Sequence, residues 1–175
     1  MNDGDLVLID FGAEYGNYAA DCSRTIPVNG RFTKRQRECY DAVLRVFNKA
    51  LKLVIPGTTI DGIHKKVCRI MEKEMTGLGL LTKADIENQD KDNPLFLRYF
   101  MHGTSHFMGL DVHDVGHKQT VLQKGMVITC EPGLYIKDEG IGIRIENDIL
   151  VDDEPVDLMK HIPVNPDEIE ELMKR

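Results

Sequence analysis

The sequence predicts an α+β protein, an antiparallel sheet with helices packed on one side. Three observations carry that reading. Short apolar, strand-like runs lie towards both ends: LVLIDFG and YAADCSRT early, VITCEPGLY and GIGIRIENDI late. Two stretches of helical period lie between them. Carboxylates recur inside or beside the apolar runs, where a buried charge is costly unless paired or metal-bound.

A chain of 175 residues fits one domain and can bury a substantial core. Its 42% hydrophobic content is ordinary for a globular protein. The net charge of −7, with scattered basic residues, argues against a nucleic-acid surface. No run is long and apolar enough to span a bilayer, and MNDGDLVLID lacks the pattern of a secretory signal. Cys22, Cys39, Cys68 and Cys130 form no CxxC pair. They read as reduced core cysteines of a cytoplasmic protein, neither a disulfide frame nor a zinc knuckle.

Residues 5–11 read as a buried strand. Asp10 and Asp21 then flank a hairpin whose midpoint falls between Tyr15 and Gly16. A turn there would oppose the two carboxylates at about 4.5–5.5 Å on one face. Such a pair repels and raises its own pKa values unless a cation sits between. The bland alternative is a solvated hairpin face.

Residues 33–54 read as a helix with capping-box spacing at Thr33 and Gln36. Tyr40, Val43, Leu44, Phe47, Leu51 and Val54 recur on one side, and Pro56-Gly57 is the stop signal. A second helix follows over 59–75, with Ile60, Ile63, Val67, Ile70, Met71 and Met75 inward. Both stripes are core. The polar stretch 83–94 reads as a solvated surface loop.

Residues 101–116, MHGTSHFMGLDVHDVG, hold His102, His106 and His113. Neutral imidazole binds metals and shuttles protons near neutral pH. Periodicity does not say which histidine does which. His106 and His113 would point to opposite faces of a straight strand, so one site needs a turn or bulge near Gly109.

Two more strands follow, over 126–135 and 141–150, joined by a turn at 138–140. Glu131 interrupts the first just before Pro132-Gly133. In the second, Ile141, Ile143 and Ile145 share one face, Arg144 and Glu146 the other. Cys22 and Cys130 should point away from the carboxylates beside them. Asn165, Pro166 and the acidic residues after them open a short closing helix. Asp10, Asp21, His106, Glu131 and Glu146 together could hold two divalent ions, which would make the chain a metal-dependent hydrolase core or its remnant.

The ordered set LIDFGAEYGNYAADCSRT, HGTSHFMGLDVHDVG, TCEPGLY and GIGIRIENDI resembles the M24-type metallopeptidase family that contains aminopeptidase P, prolidase and methionine aminopeptidase. The long HGTSHFMGLDVHDVG form and the VNPDEIEELMK ending are most similar to its bacterial aminopeptidase P branch. The resemblance implies the pita-bread fold and removal of an N-terminal residue that precedes proline. Prolidase, acting on Xaa-Pro dipeptides, is the close alternative, and a non-catalytic peptide- or protein-binding module of the same fold a further one.

It also implies roles. Asp10 would bind one metal, Asp21 and Glu146 would bridge both, and His106 and Glu131 would complete the other site. A metal-bridged hydroxide would attack the carbonyl before proline. Glu131 would shuttle the proton, His113 would steady the carbonyl or tetrahedral intermediate, and His102 and Arg144 would hold the proline side of the substrate. The hard ligand set suits manganese, with cobalt, iron or zinc possible.

Family members carry a further stretch before the first strand. The expectation is therefore that residues 1–175 are the C-terminal major part of a pita-bread catalytic domain, without its start and without an N-terminal domain. Such a fragment would turn over little alone. Its open sheet edge would invite a homo-oligomer.

Overall fold

The chain starts with a long two-strand ribbon, because the apolar run Leu6–Ile9 leads into a turn that only special backbone allows; residues 6–11 are half-buried to exposed, not the buried strand expected. The computed structural model describes residues 1–174. Strand β1 (Leu6–Phe11) pairs antiparallel with β4 (Cys22–Pro27), and the tip carries two-residue strands β2 (Glu14–Tyr15) and β3 (Tyr18–Ala19). Tyr15 faces Tyr18, so the turn is Gly16-Asn17, both at positive φ (59° and 67°), as a type I′ hairpin requires. The turn expected at Tyr15-Gly16 is corrected by one residue. Asp10 consequently faces Ser23, not Asp21. At the base of the tip, a Cβ on Gly12 would lie 1.8 Å from the Ala20 carbonyl oxygen, so only glycine fits.

Helix α1 (Lys34–Leu51) begins with the Thr33/Gln36 capping box. It ends at Leu51, earlier than the stop signal at Pro56-Gly57 suggests. The residue before proline avoids helical backbone, and the Thr58 hydroxyl donates to the freed carbonyls of Ile55 (2.7 Å) and Leu53 (3.3 Å). Helix α2 (Ile60–Gly77) is capped by Thr59. The stretch expected to be a loop contains a short exposed helix, α3 (Lys83–Asn88). There a Thr82/Asp85 capping box satisfies the first amides, and no residue is buried. A 3₁₀ turn (Leu95–Arg98) follows.

Each strand of the late hairpin is broken in two. Strands β5 (Val127–Cys130) and β6 (Gly133–Ile136) are separated by Glu131-Pro132. They pair with β8 (Asn147–Leu150) and β7 (Ile141–Arg144), separated by Ile145-Glu146. Pro132 has no N–H for the ladder. The register nonetheless runs through the break: Cys130 faces Asn147 on one side, Gly133 faces Arg144 on the other. Glu131 and Glu146 therefore fall opposite each other. The turn between β6 and β7 is a 3₁₀ turn (Lys137–Glu139) closed by Gly140 at φ 62°. Strand β9 (Val156–Asp157) adds to β8, and α4 (Pro166–Leu172) closes the chain with an Asn165 cap.

Helix α1 packs on α2 and on β5, β6 and β7. Tyr40, Phe47, Met71, Ile128, Leu134, Ile143 and Ile149 are all within 2% of full burial at this contact. The apolar face of the hairpin is thereby spent on the helices. One edge of the hairpin meets the β1–β4 ribbon through an antiparallel bridge between Ser23 and Glu146.

Candidate metal centre

The ribbon and the broken hairpin bring their carboxylates to one place. Asp21 is diagonal to Asp10 rather than opposite, and alternation keeps it on the same face. Ligand oxygens of Asp10, Asp21 and Glu146 all lie within 4.8 Å of one another. At the hairpin break, the Glu131 amide donates to the Thr104 carbonyl (2.8 Å) and the Glu146 amide to the Ser23 carbonyl (3.1 Å). These bonds join the late hairpin to residues 101–116 along one edge and to β4 along the other.

Residues 101–116 form no regular strand. The Asp114 amide donates to the Phe107 carbonyl (3.0 Å) and the Gly109 amide to the Asp111 carbonyl (3.0 Å), folding the chain back on itself. That reversal sets the His106 and His113 ring centroids 4.1 Å apart, as one site requires. His106 Nδ1 lies 3.0 Å from the Phe107 carbonyl oxygen, which can only accept. The ring proton therefore sits on Nδ1, and the Nε2 lone pair is free. Nε2 points at Asp21 (3.4 Å) and Glu131 (3.8 Å). Two further donor groups meet the same 4.8 Å limit: His106 with Glu131 and Glu146, and Asp21 with His106 and His113.

His102 and Arg144 form the adjoining wall. His102 Nδ1 donates to the Gly103 carbonyl (2.7 Å), leaving Nε2 to accept from the Tyr135 hydroxyl (2.9 Å). Gly133 permits this approach, since a Cβ there would lie 2.8 Å from His102 Nε2. Arg144 donates to Asp10 Oδ2 (2.5 Å), to Ser23 Oγ (2.8 Å) and to Tyr135 Oη (3.4 Å). Ser23, fully buried, donates its hydroxyl hydrogen bond to Glu146 Oε2 at 2.6 Å.

Four carboxylates thus crowd together, and Arg144 pairs with two of them, Asp10 and Glu146. Burial, and then the charge of Glu146, pushes Glu131 up to about 8. Burial raises Glu146 to about 7, against the stabilising Ser23 hydrogen bond. Asp21 is raised by burial and by Asp10. Burial lowers His102 and His106, favouring neutral rings. Carboxylates placed in this way, beside a neutral imidazole with a free lone pair, fit divalent cations: positive charge would offset the burial and repulsion that raise them.

All five expected ligands converge, with His102, His113 and Arg144 around them. Cys22 and Cys130 are buried, free, and outside every donor group. Sequence reasoning missed Ser23, Tyr135 and Asp148. Alternation held a signal for two of them: Ser23 is two residues from Asp21, and Asp148 two from Glu146. Tyr135 gave none, because its role depends on the distant His102.

Hard oxygen donors with one imidazole, gathered where the ribbon meets the late hairpin and buried or half-buried except at Asp10, suit divalent cations. Residues 1–153 match metallopeptidase family M24. The chain is 47% identical to the Xaa-Pro aminopeptidase of Escherichia coli (strain K12), over 99% of its own length and 42% of that protein. Identity to the Xaa-Pro aminopeptidase of Haemophilus influenzae is 44%, over 86% of the chain and 37% of that protein. The structure of zinc-substituted E. coli aminopeptidase P in complex with product superposes with a TM-score of 0.87 at 45% identity, over 99% of this chain and 42% of that one. The chain belongs to metallopeptidase family M24 and has its pita-bread fold. It spans about 42% of the length of the E. coli relative.

Proposed function

We propose that the protein serves as a metal-dependent aminopeptidase that removes the N-terminal residue preceding proline. One observation carries this reading: three overlapping donor groups, each within 4.8 Å, that share Asp21, His106 and Glu146. Asp10, Asp21 and Glu146 would hold one ion, and His106, Glu131 and Glu146 the other, with Asp21 reaching both. When bound, two divalent ions acidify water to near-neutral pKa and polarise a carbonyl oxygen. Manganese suits the oxygen-rich set, with cobalt, iron and zinc as competitors.

The chain's own residues then divide the work. Glu131, 3.8 Å from His106 Nε2, would take and return the proton during the reaction. His113, exposed beside His106, would donate to the carbonyl oxygen of the substrate. His102 and Arg144, tied through Tyr135, would position the proline side. The relatives named Xaa-Pro aminopeptidase support the substrate class. Four free, buried cysteines suit the cytoplasm, and the edge of β1 not paired with β4 suits self-association. Among the described residues no helix is long and apolar enough to cross a membrane.

The deciding experiment measures Mn2+ stoichiometry by calorimetry and cleavage of Xaa-Pro-Yaa peptides on the same sample. Two ions per chain are expected, with only slow cleavage before proline from these residues alone. Fewer than two at saturation would overturn the dinuclear reading. Cleavage confined to Xaa-Pro dipeptides would reassign the substrate to that of a prolidase.

A further inference from the structure

Strand β8 has two edges, and one of them serves two partners in turn. One edge pairs with β5. On the other, Ser23 of β4 bridges Glu146, and β9 takes over opposite Ile149 and Leu150. Asp148 sits at the change of partner. The Ser23–Glu146 register brings Asp21 opposite Asp148, where a continuing ladder would offer the Asp148 carbonyl to the Asp21 amide. That carbonyl is already engaged: it accepts the Leu158 amide at 3.0 Å.

The Asp148 side chain takes its place. Oδ2 accepts the Asp21 amide at 3.2 Å. Asp21 precedes β4 and has no partner in the β1 ladder, so nothing in its own ribbon fixes that amide. Asp148 is only 4% exposed, and its Oδ1 has no hydrogen-bond partner. A buried, half-satisfied carboxyl is costly. The Asp21 amide is the one group among the described residues that its side chain engages.

We propose that Asp148 is a positioning residue for Asp21. Its carboxyl stands in for a ladder carbonyl and so sets where the Asp21 side chain meets Asp10 and Glu146 on one side and His106 on the other. Groups of this kind orient the ligands they touch, although they bind no ion themselves. The inference rests on the metal-centre reading above.

The test pairs hydrogen exchange at the Asp21 amide in the chelated protein with Mn2+ calorimetry. In the unsubstituted chain the amide should be protected. Asp148→Ala should speed its exchange at least tenfold and weaken Mn2+ binding by roughly 10–100-fold. Asp148→Asn keeps a side-chain oxygen acceptor and should stay close to the unsubstituted chain in both readouts. Three results would overturn the proposal: an unprotected Asp21 amide in the unsubstituted chain, a folded Asp148→Ala with unchanged protection and affinity, or a folded Asp148→Asn as weak as alanine. Should Asp148→Ala fail to fold, the unsubstituted amide and the asparagine variant decide. A chain that binds no Mn2+ at all would sink the metal-centre reading, while the exchange data would still judge the Asp148 tether.

Discussion

Asp21 and Glu146 differ from Asp10 in how many neighbours they serve. Each belongs to two donor groups, whereas Asp10 belongs to one, and Asp10 also has Arg144 as a countercharge. Alanine at position 21 or 146 should therefore remove more bound metal than alanine at position 10. Metal analysis of the three purified variants checks this, and equal content would contradict the ranking. His113 shares a group with Asp21 and His106, yet the proposed role puts it on the substrate. His113→Ala should keep both ions and lower turnover by about 10²–10⁴-fold. Loss of an ion in that variant would make His113 a ligand.

The two hairpins work as elements because each is interrupted where a ligand is needed. In the ribbon, the break falls at Gly12, packed against the Ala20 carbonyl. Gly12→Ala forces those backbones apart and moves Asp10 relative to Asp21. The expected outcome is a loss of at least about 2 kcal/mol in denaturant unfolding, with weaker metal binding. In the late hairpin, Pro132 withholds an amide, and Glu131 beside it lies opposite Glu146. Helix α1 has a simpler device. Thr33→Ala removes the acceptor for the Gln36 amide and should cost about 1 kcal/mol, while Thr33→Ser should cost little. Unchanged unfolding midpoints in Thr33→Ala would mean that tertiary packing alone sets the start of α1.

At the scale of the whole molecule, the crowded carboxyls make stability depend on pH. Glu131 and Glu146 lie at about 8 and about 7, above their usual 4.5, and Asp148 at about 7, above 3.8. Below pH 6.5 the lowered His64, His102 and His106 oppose this, but above it the folded chain holds more protons than the unfolded chain, and its stability falls as pH rises. With a chelator present, the thermal midpoint should drop by roughly 5 °C or more between about pH 6.5 and pH 8. Saturating Mn2+ should reverse the trend, since ions need the deprotonated ligands. A flat profile in chelator would contradict the crowding. The ribbon edge makes a separate prediction. Ile9 and Phe11 are 38% and 48% exposed on β1, so light scattering should show association rising with concentration. A monomer at high concentration would count against it.

The sequence by itself determined the local pieces. Capping chemistry marked the starts of α1 and α4, helical period marked the buried stripe of α2, and alternation put Arg144 and Glu146 on one face. The family motifs named the five converging donors. Such signals act over a few residues, and a linear pattern carries them. The Gly16-Asn17 turn escaped because moving a turn by one residue shifts the pairing by two, which leaves the alternation of faces unchanged. Helix α3 escaped because its polar surface buries nothing that periodicity could register. Only the tertiary structure decided that Glu131 and Glu146 oppose each other across a shared break, that Ser23 links Arg144 to Glu146, and that Asp148 holds Asp21. Each of those contacts joins residues that the fold, not the local chain, brings together. The side-chain pattern of one strand says which face a residue takes, but not what that face will meet.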